Sequence, residues 1–181
     1  SNLMNKLARS VLTLYSYDPD PETMTLENEL RLAMSLIART PIIVAHGYAA
    51  KRCYIDGGSL YLHRAMPHKG TAENFLAAAR DDRKYSDEEA KLLDLCLVLH
   101  AEHGGGNNST FSTRVISSSY TDIFSAIAAG VGALKGPRHG GANIRCKEMV
   151  DVVAENTKDW SDDDEIRSVL VRILNKELGD G

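Results

Sequence analysis

The stretch that most constrains the fold of this chain begins at Ser86-Asp87-Glu88-Glu89 and runs to Gly106. A serine followed three residues later by glutamate is a capping box, in which the two side chains satisfy amides that the first helical turn leaves open. Beyond it, Ala90, Leu92, Leu93, Leu95, Cys96, Leu97, Val98 and Leu99 leave only Lys91 and Asp94 polar. A helix apolar nearly all round has no face for water, so it demands burial on all sides, in a large core or at a subunit interface. The spacing predicts that it carries His100 and His103 at its C-terminal end. Gly104-Gly105-Gly106 then stops it, because glycine ends helices readily.

The rest of the chain supplies further helices. Leu7, Val11, Leu12 and Leu14 space a short amphipathic helix from Lys6 to Tyr15. Asp18-Pro19-Asp20-Pro21 stops it, since proline disfavours helix at its own position and just before. Leu30, Ala33, Met34, Ile37 and Ala38 form one stripe of a second helix, about Leu26 to Arg39, and Pro41 opens a third over Ile42 to Lys51. Tyr54 to Gly70 reads as an exposed loop. Thr71 caps a helix to about Arg80 with Phe75, Leu76, Ala78 and Ala79 inward, and Asp81 to Tyr85 is a charged linker. Helices follow over Asn108–Ser117, over Ile123–Leu134 (capped by Thr121 and Asp122) and from Ala142 to about Glu155. A last one, Ile166–Leu178, is capped at Ser161 with an acidic turn that suits its dipole. No stretch alternates with period two, so the expected fold is all-α, about nine helices in a single domain over residues 1–181.

Composition narrows the partners. With 43% hydrophobic and 25% charged residues the chain has the makings of an ordinary globular core. Its 21 basic residues against 25 acidic ones, a net charge of −4, leave nothing in reserve for a phosphate backbone, so no nucleic-acid partner is expected. No apolar run approaches the ~20 residues that span a bilayer, so no membrane partner is expected either. Cys53, Cys96 and Cys146 are odd in number and widely spaced, which fits a reducing, cytoplasmic setting better than a disulfide framework.

Chemistry concentrates in two blocks, His100-Ala-Glu-His-Gly-Gly-Gly-Asn-Asn108 and Leu134-Lys-Gly-Pro-Arg-His-Gly-Gly-Ala-Asn143. Glycine lets backbone approach a ligand, and histidine moves protons near neutral pH. Two histidines three apart invite a zinc reading with His139 as third ligand. The spacing is not His-Glu-x-x-His and no cysteine pair supports it, so no metal is expected. Gly104 to Thr110 lacks the lysine and the preceding strand of a phosphate loop. Ser161 to Glu165 reads as a solvated helix start. For His100 a core position is the competing reading. His139 sits in a tight turn just before a helix N-terminus, whose dipole favours a neutral imidazole able to donate to a developing oxyanion or enolate. A purely structural turn histidine is the alternative.

HAEHGGGNNSTFSTRV followed by SAIAAGVGALKGPRHGGAN resembles the core of the citrate synthases, and the likeness extends back through the Asp-Glu-Glu-Ala helix, PHKGTAENFL and MNKLARSVLTLYSYDPD. The resemblance implies a large all-helical domain, a smaller helical domain that closes over the cleft, and a homodimer through large-domain helices. The apolar helices Asp87–His103 and Ile123–Leu134 agree with such an interface. It implies an acyltransferase of the tricarboxylic acid cycle that condenses acetyl-CoA with oxaloacetate and hydrolyses citryl-CoA. No metal or other cofactor is involved, acetyl-CoA being a substrate. By the same likeness His139 stabilises the enol of acetyl-CoA, His103 binds oxaloacetate with Asn107 in the same loop, and Ser109 matches a serine that helps position the catalytic histidine. His100 matches the first histidine of the pair, with a less direct role. Gly136, Gly140 and Gly141 border the CoA thioester, and Arg138 receives no role.

The family's second catalytic histidine, its aspartate base and most carboxylate-clamping arginines lie downstream of what this sequence holds. The expectation is therefore part of a large domain, without the small domain and with an incomplete active site. A 2-methylcitrate synthase using propionyl-CoA, the citryl-CoA-cleaving module of ATP citrate lyase, and a non-catalytic dimerisation or regulatory paralogue are the alternatives.

Overall fold

The computed structural model describes residues 2–179, which hold eight helices and no strand: α1 (Leu3–Tyr15), α2 (Leu26–Tyr54), α3 (Thr71–Ala79), α4 (Asp87–Leu99), α5 (Asn108–Ser117), α6 (Ile123–Lys135), α7 (Ala142–Asn156) and α8 (Asp163–Leu174). The chain divides into two compact units, Ser1–Lys135 with α1 to α6 and Gly136–Gly181 with α7 and α8. The all-α expectation holds.

In the first unit Val11, Leu32, Leu36, Phe124 and Ala128 form the core, with Leu7, Leu14 and Tyr15 packed on it. The Tyr15 and Phe124 rings meet edge to face at 6.3 Å, the arrangement their quadrupoles prefer. The proline-rich turn after α1 stands where the sequence puts it and is tied to α2 by side chains. Arg31 grips the Asp18 carboxylate through two bonds of 3.0 and 2.7 Å. Buried Asn28 donates to the Asp20 and Thr23 carbonyls at 3.0 and 2.8 Å. The Arg31 guanidinium holds the Asp18 carboxyl below the usual carboxylate range.

α2 departs from expectation twice. It is one helix of 29 residues that continues through Pro41, where two helices were expected. Proline removes one amide donor and crowds the carbonyl four residues back. That carbonyl belongs to Ile37, which is 61% exposed, so water can take the orphaned acceptor while Leu32, Leu36, Ala45 and Ala49 stay packed. The buried face is the second departure: Leu30 and Met34 are 57% and 65% exposed, and Leu32 and Leu36 are buried in their place. α2 is apolar on two sides, and packing against α1, α3 and α6 selects one of them. Unbroken, α2 is long and apolar enough by length and composition to cross a membrane, contrary to the sequence reading. Its Leu32–Leu36 face is packed in the core of the unit.

α4 is capped as expected, Ser86 Oγ accepting from Glu89 N at 3.1 Å and Glu89 Oε2 from Ser86 N at 2.8 Å. Arg80 adds a bidentate pair of 3.0 and 2.5 Å to the same glutamate, and together these hold the Glu89 carboxyl at about 2. The expected burial is absent. Ala90 alone in α4 is buried, and Leu92, Leu95, Val98 and Leu99 are more than half exposed, because α4 packs on α3 and no other helix of the unit closes over it.

α5 and α6 lie close together. A Cβ on Gly130 would stand 2.5 Å from Thr113 Oγ1 and 3.5 Å from the Ser109 carbonyl, so the small residue sets the distance at which α6 supports α5. The expected α6 cap is present, Asp122 Oδ1 accepting from Ser125 N at 2.9 Å.

In the second unit Val153, Val169 and Ile173 form a small core between α7 and α8. Asp162, not Ser161, caps α8, accepting from Asp164 N at 2.9 Å and Glu165 N at 3.1 Å. Ser161 is occupied with Asp159, to which its hydroxyl donates at 2.6 Å. α3 starts similarly one residue early: Gly70 is its N-cap and donates to Glu73 Oε2 at 2.9 Å.

Candidate functional site

The first histidine–glycine block begins where α4 ends. The helix stops at Leu99, earlier than expected, and His100 is its C-cap, its amide donating to the Cys96 carbonyl at 3.0 Å and its ring Nδ1 meeting the same oxygen at 2.7 Å. The next amide, Ala101 N, turns to the Val98 carbonyl at 3.2 Å instead of the Leu97 carbonyl four residues back, so the helix closes there and His103 lies beyond it in an exposed loop. His100 is exposed as well, against the core reading. The two rings meet edge to face at 6.2 Å.

Gly104 turns the loop with φ +68°, a conformation glycine adopts without a Cβ penalty, and its amide donates to the Glu102 carboxylate. Asn107 then caps α5: its Oδ1 accepts from Ser109 N at 2.9 Å and Thr110 N at 3.1 Å. An asparagine there satisfies amides that the helix start leaves open. His100, His103 and Asn107 thus lie in the short segment joining α4 to α5, and Ser109 stands in the first turn of α5. Two residues there escaped the sequence reading, Glu102 and Arg114. Arg114 stands on α5 with Nη1 3.6 Å from where a Gly105 Cβ would be. Its spacing of seven from Asn107, about two helical turns, puts it on the cap's side of the helix and was the available signal. A groove of about 500 Å³ between α5 and α6 is lined by Ser109, Thr113, Arg114 and Gly130 among others. A larger cavity of about 710 Å³ lies between α1 and α2 and touches none of the expected site residues.

The second block forms the turn that leads into α7. His139 N and Gly140 N both donate to the Gly136 carbonyl, at 3.0 and 2.8 Å. A Cβ at Gly141 would fall 2.2 Å from the Pro137 carbonyl oxygen, so the turn closes only because that residue has no side chain. Gly141 has ordinary helical angles, φ −73° and ψ −16°, so space and not backbone conformation makes it glycine. His139, half-buried in this turn, stands three residues before the first residue of α7, as expected. The two blocks belong to different units. Among the described residues no group of three or more His, Cys, Asp or Glu is arranged to hold a metal ion.

Comparison with known proteins places these elements in a family. The family model described as "Citrate synthase, C-terminal domain" matches residues 1–180. The chain is 37% identical over 164 residues to 2-methylcitrate synthase 1 of Corynebacterium glutamicum, covering 87% of this chain and 41% of that protein. It is 36% identical over 151 residues to the citrate synthase of Deinococcus radiodurans, covering 83% and 38%. The crystal structure of citrate synthase from Pyrobaculum aerophilum superimposes with a TM-score of 0.72 at 31% identity, over 87% of this chain and 39% of that one. The chain therefore spans about two fifths of the length of these relatives. With the histidine–glycine blocks in the order first read from the sequence, the chain belongs to the citrate synthase family.

Proposed function

We propose that the whole protein is an acyltransferase that condenses acetyl-CoA with oxaloacetate to give citrate and free CoA, and that this chain contributes two of its histidines. The observation that carries the reading is the presence of both histidine–glycine blocks, in order, in a chain of the citrate synthase family. The reaction needs a base to take a proton from the methyl group of the thioester and a donor to hold the enolate oxygen that results. His139 is that donor, and Gly136, Gly140 and Gly141 leave room for the thioester beside it. The methyl carbon then bonds to the ketone carbon of oxaloacetate, the ketone oxygen takes a proton, and water cleaves the C–S bond to release CoA. His103 and Asn107 belong to the oxaloacetate cradle, and His100 fixes where its loop begins. Proton transfer and hydrogen bonding suffice for these steps, with no metal or further cofactor.

No side chain in this chain is a convincing base, and none forms a clamp for two carboxylates, so the 181 residues alone are inactive. Release of free CoA, followed with a thiol reagent, tests both claims. The whole protein turns over and the 181-residue chain does not; robust turnover by the chain sinks the second claim, and none by the whole protein sinks the first. A second reading is favoured by the 37% identity to a 2-methylcitrate synthase, as high as to a citrate synthase matched over a similar length. Comparing kcat/KM for acetyl-CoA and propionyl-CoA decides between them.

The proposal includes a homodimer in a cytoplasmic setting. Leu30, Met34 and Ile37 on α2 and Leu95 and Val98 on α4 are all more than half exposed, a large apolar area for a chain to leave to water. Cys53, Cys96 and Cys146 are free thiols, in keeping with a reducing compartment. A monomer by light scattering of the whole protein at micromolar concentration counts against the dimer.

A further inference from the structure

We propose that Arg114 is a positioning residue for the loop that carries His103, and so sets the affinity of the site for its 2-oxo dicarboxylate substrate; the inference rests on the oxaloacetate-binding role given to His103 above. Arg114 stands in the last turn of α5, and helical side chains lean back toward the N-terminus of their helix. Its guanidinium thereby reaches the glycine loop and lies against Gly105. Arg31, Arg52 and Arg80 each grip a carboxylate through two N–H groups. Among the described residues no ion pair engages Arg114, which faces loop backbone instead.

The loop needs such a support. Three successive glycines have more freedom to lose than any other residues, and a ligand that must order its own binding loop binds more weakly by that cost. The ends are already held, by Glu102 on the Gly104 amide and by Asn107 on the start of α5. Gly105 lies between these anchors, and Arg114 is the side chain set against it. A planar guanidinium with donors along its edge offers the peptide groups around Gly105 a broad, rigid rest, where a lysine ammonium offers one point on a flexible stem. Without it the middle of the loop is free, and the ordering cost moves into substrate binding. The turn that holds His139 is closed by its own backbone bonds, so the chemical step keeps its donor.

The test uses Arg114→Ala and Arg114→Lys in the whole protein. With oxaloacetate varied at saturating acetyl-CoA, the alanine variant raises the oxaloacetate KM about 5- to 20-fold, a penalty of the size expected for ordering one or two groups. Its kcat and acetyl-CoA KM stay within about twofold of wild type and its thermal midpoint within about 2 °C, and lysine recovers less than half of the loss. An unchanged oxaloacetate KM overturns the proposal, as does a loss of kcat that tracks a fall in thermal midpoint. Amide hydrogen exchange of residues 101–107 in the unliganded protein provides a second readout. The alanine variant exchanges faster there and unchanged elsewhere, and equal rates overturn the proposal. If the wild-type protein does not turn over oxaloacetate, the functional reading fails while the exchange result still decides the role of Arg114.

Discussion

The loop of residues 100–107 and the turn of residues 136–141 each present a histidine beside glycines, yet they hold it by opposite means. The loop is exposed from Ala101 to Gly106, and side chains hold it: Glu102 on the Gly104 amide and Asn107 on the start of α5. The turn is half-buried at His139, Gly140 and Gly141, and backbone holds it: two amides on the Gly136 carbonyl, and the Pro137 carbonyl against a residue without a Cβ. Side-chain anchors allow a segment to settle around a ligand, whereas a backbone-closed turn is formed before any ligand arrives. A substrate-binding histidine tolerates the first. A donor to a developing oxyanion needs the second, because its contribution depends on costing no reorganisation when the charge appears.

Five substitutions or conditions break or sharpen this contrast. The largest effect is expected from His139→Ala in the whole protein, which should lower kcat at least 10²- to 10³-fold, the range for removing one oxyanion donor. Its circular dichroism and thermal midpoint should match wild type, and a loss under tenfold would refute the role. Gly141→Ala comes next. Its Cβ would sit 2.2 Å from a backbone oxygen, so the turn must open, at about 1–3 kcal/mol in urea denaturation and with a fall in kcat. Gly104→Ala in the loop should cost about 1–2 kcal/mol for its positive φ and spare kcat; equal kcat losses in the two variants would erase the distinction.

Asn107→Ala removes a helix cap and should cost about 1 kcal/mol, raising the oxaloacetate KM more than it lowers kcat. The smallest effect is one of pH. Glu89, at the start of the helix leading into the loop, is held at about 2 by Arg80 and the Ser86 amide, against an ordinary value of 4.5. A carboxylate lowered on folding adds stability that is fully present above its unfolded value and is lost as pH falls through the folded one. Between about pH 4.5 and 2 the urea midpoint of wild type should therefore fall more than that of Glu89→Gln. The pair is exposed, so the difference should be modest. The turn of residues 136–141, with its two backbone bonds to the Gly136 carbonyl, lies far along the chain from Glu89 and should be indifferent to it.

Much of the first level was legible in the residues. Ser86 with Glu89, Asp122 before α6, and the proline-rich turn at Asp18 to Pro21 each act within a few residues, and each stands as read. The difficulties come where two local solutions compete. Pro41 was read as a helix start because proline suits that position, but one lost hydrogen bond on an exposed side is outweighed by packing before and after it. Ser161 and Asp162 are both good caps, and Ser161 is drawn off by Asp159. The spacing puts His100 and His103 together on α4, but the helix ends between them, where the Ala101 amide bonds the Val98 carbonyl in place of that of Leu97. Within the site, the residue types and order were readable, whereas Arg114 beside Gly105 was not, since a contact across two helical turns depends on where a long side chain leans.

By itself the sequence determined that this protein is helical, where most of its helices start, and, through two histidine–glycine segments in their order, that it belongs to the citrate synthase family. The first two follow from capping and periodicity, interactions that close within one turn of chain, and the third from the resemblance those segments carry. Only the tertiary structure decided which face of α2 is core, that α4 is left open on most of its surface, that Gly130 sets the spacing of α5 and α6, and that Gly141 lets its turn close. The first three depend on which distant segment arrives at a given surface, and an apolar stripe carries no record of its partner. The fourth depends on a carbonyl only four residues away, but on where the turn aims it, which no residue type states.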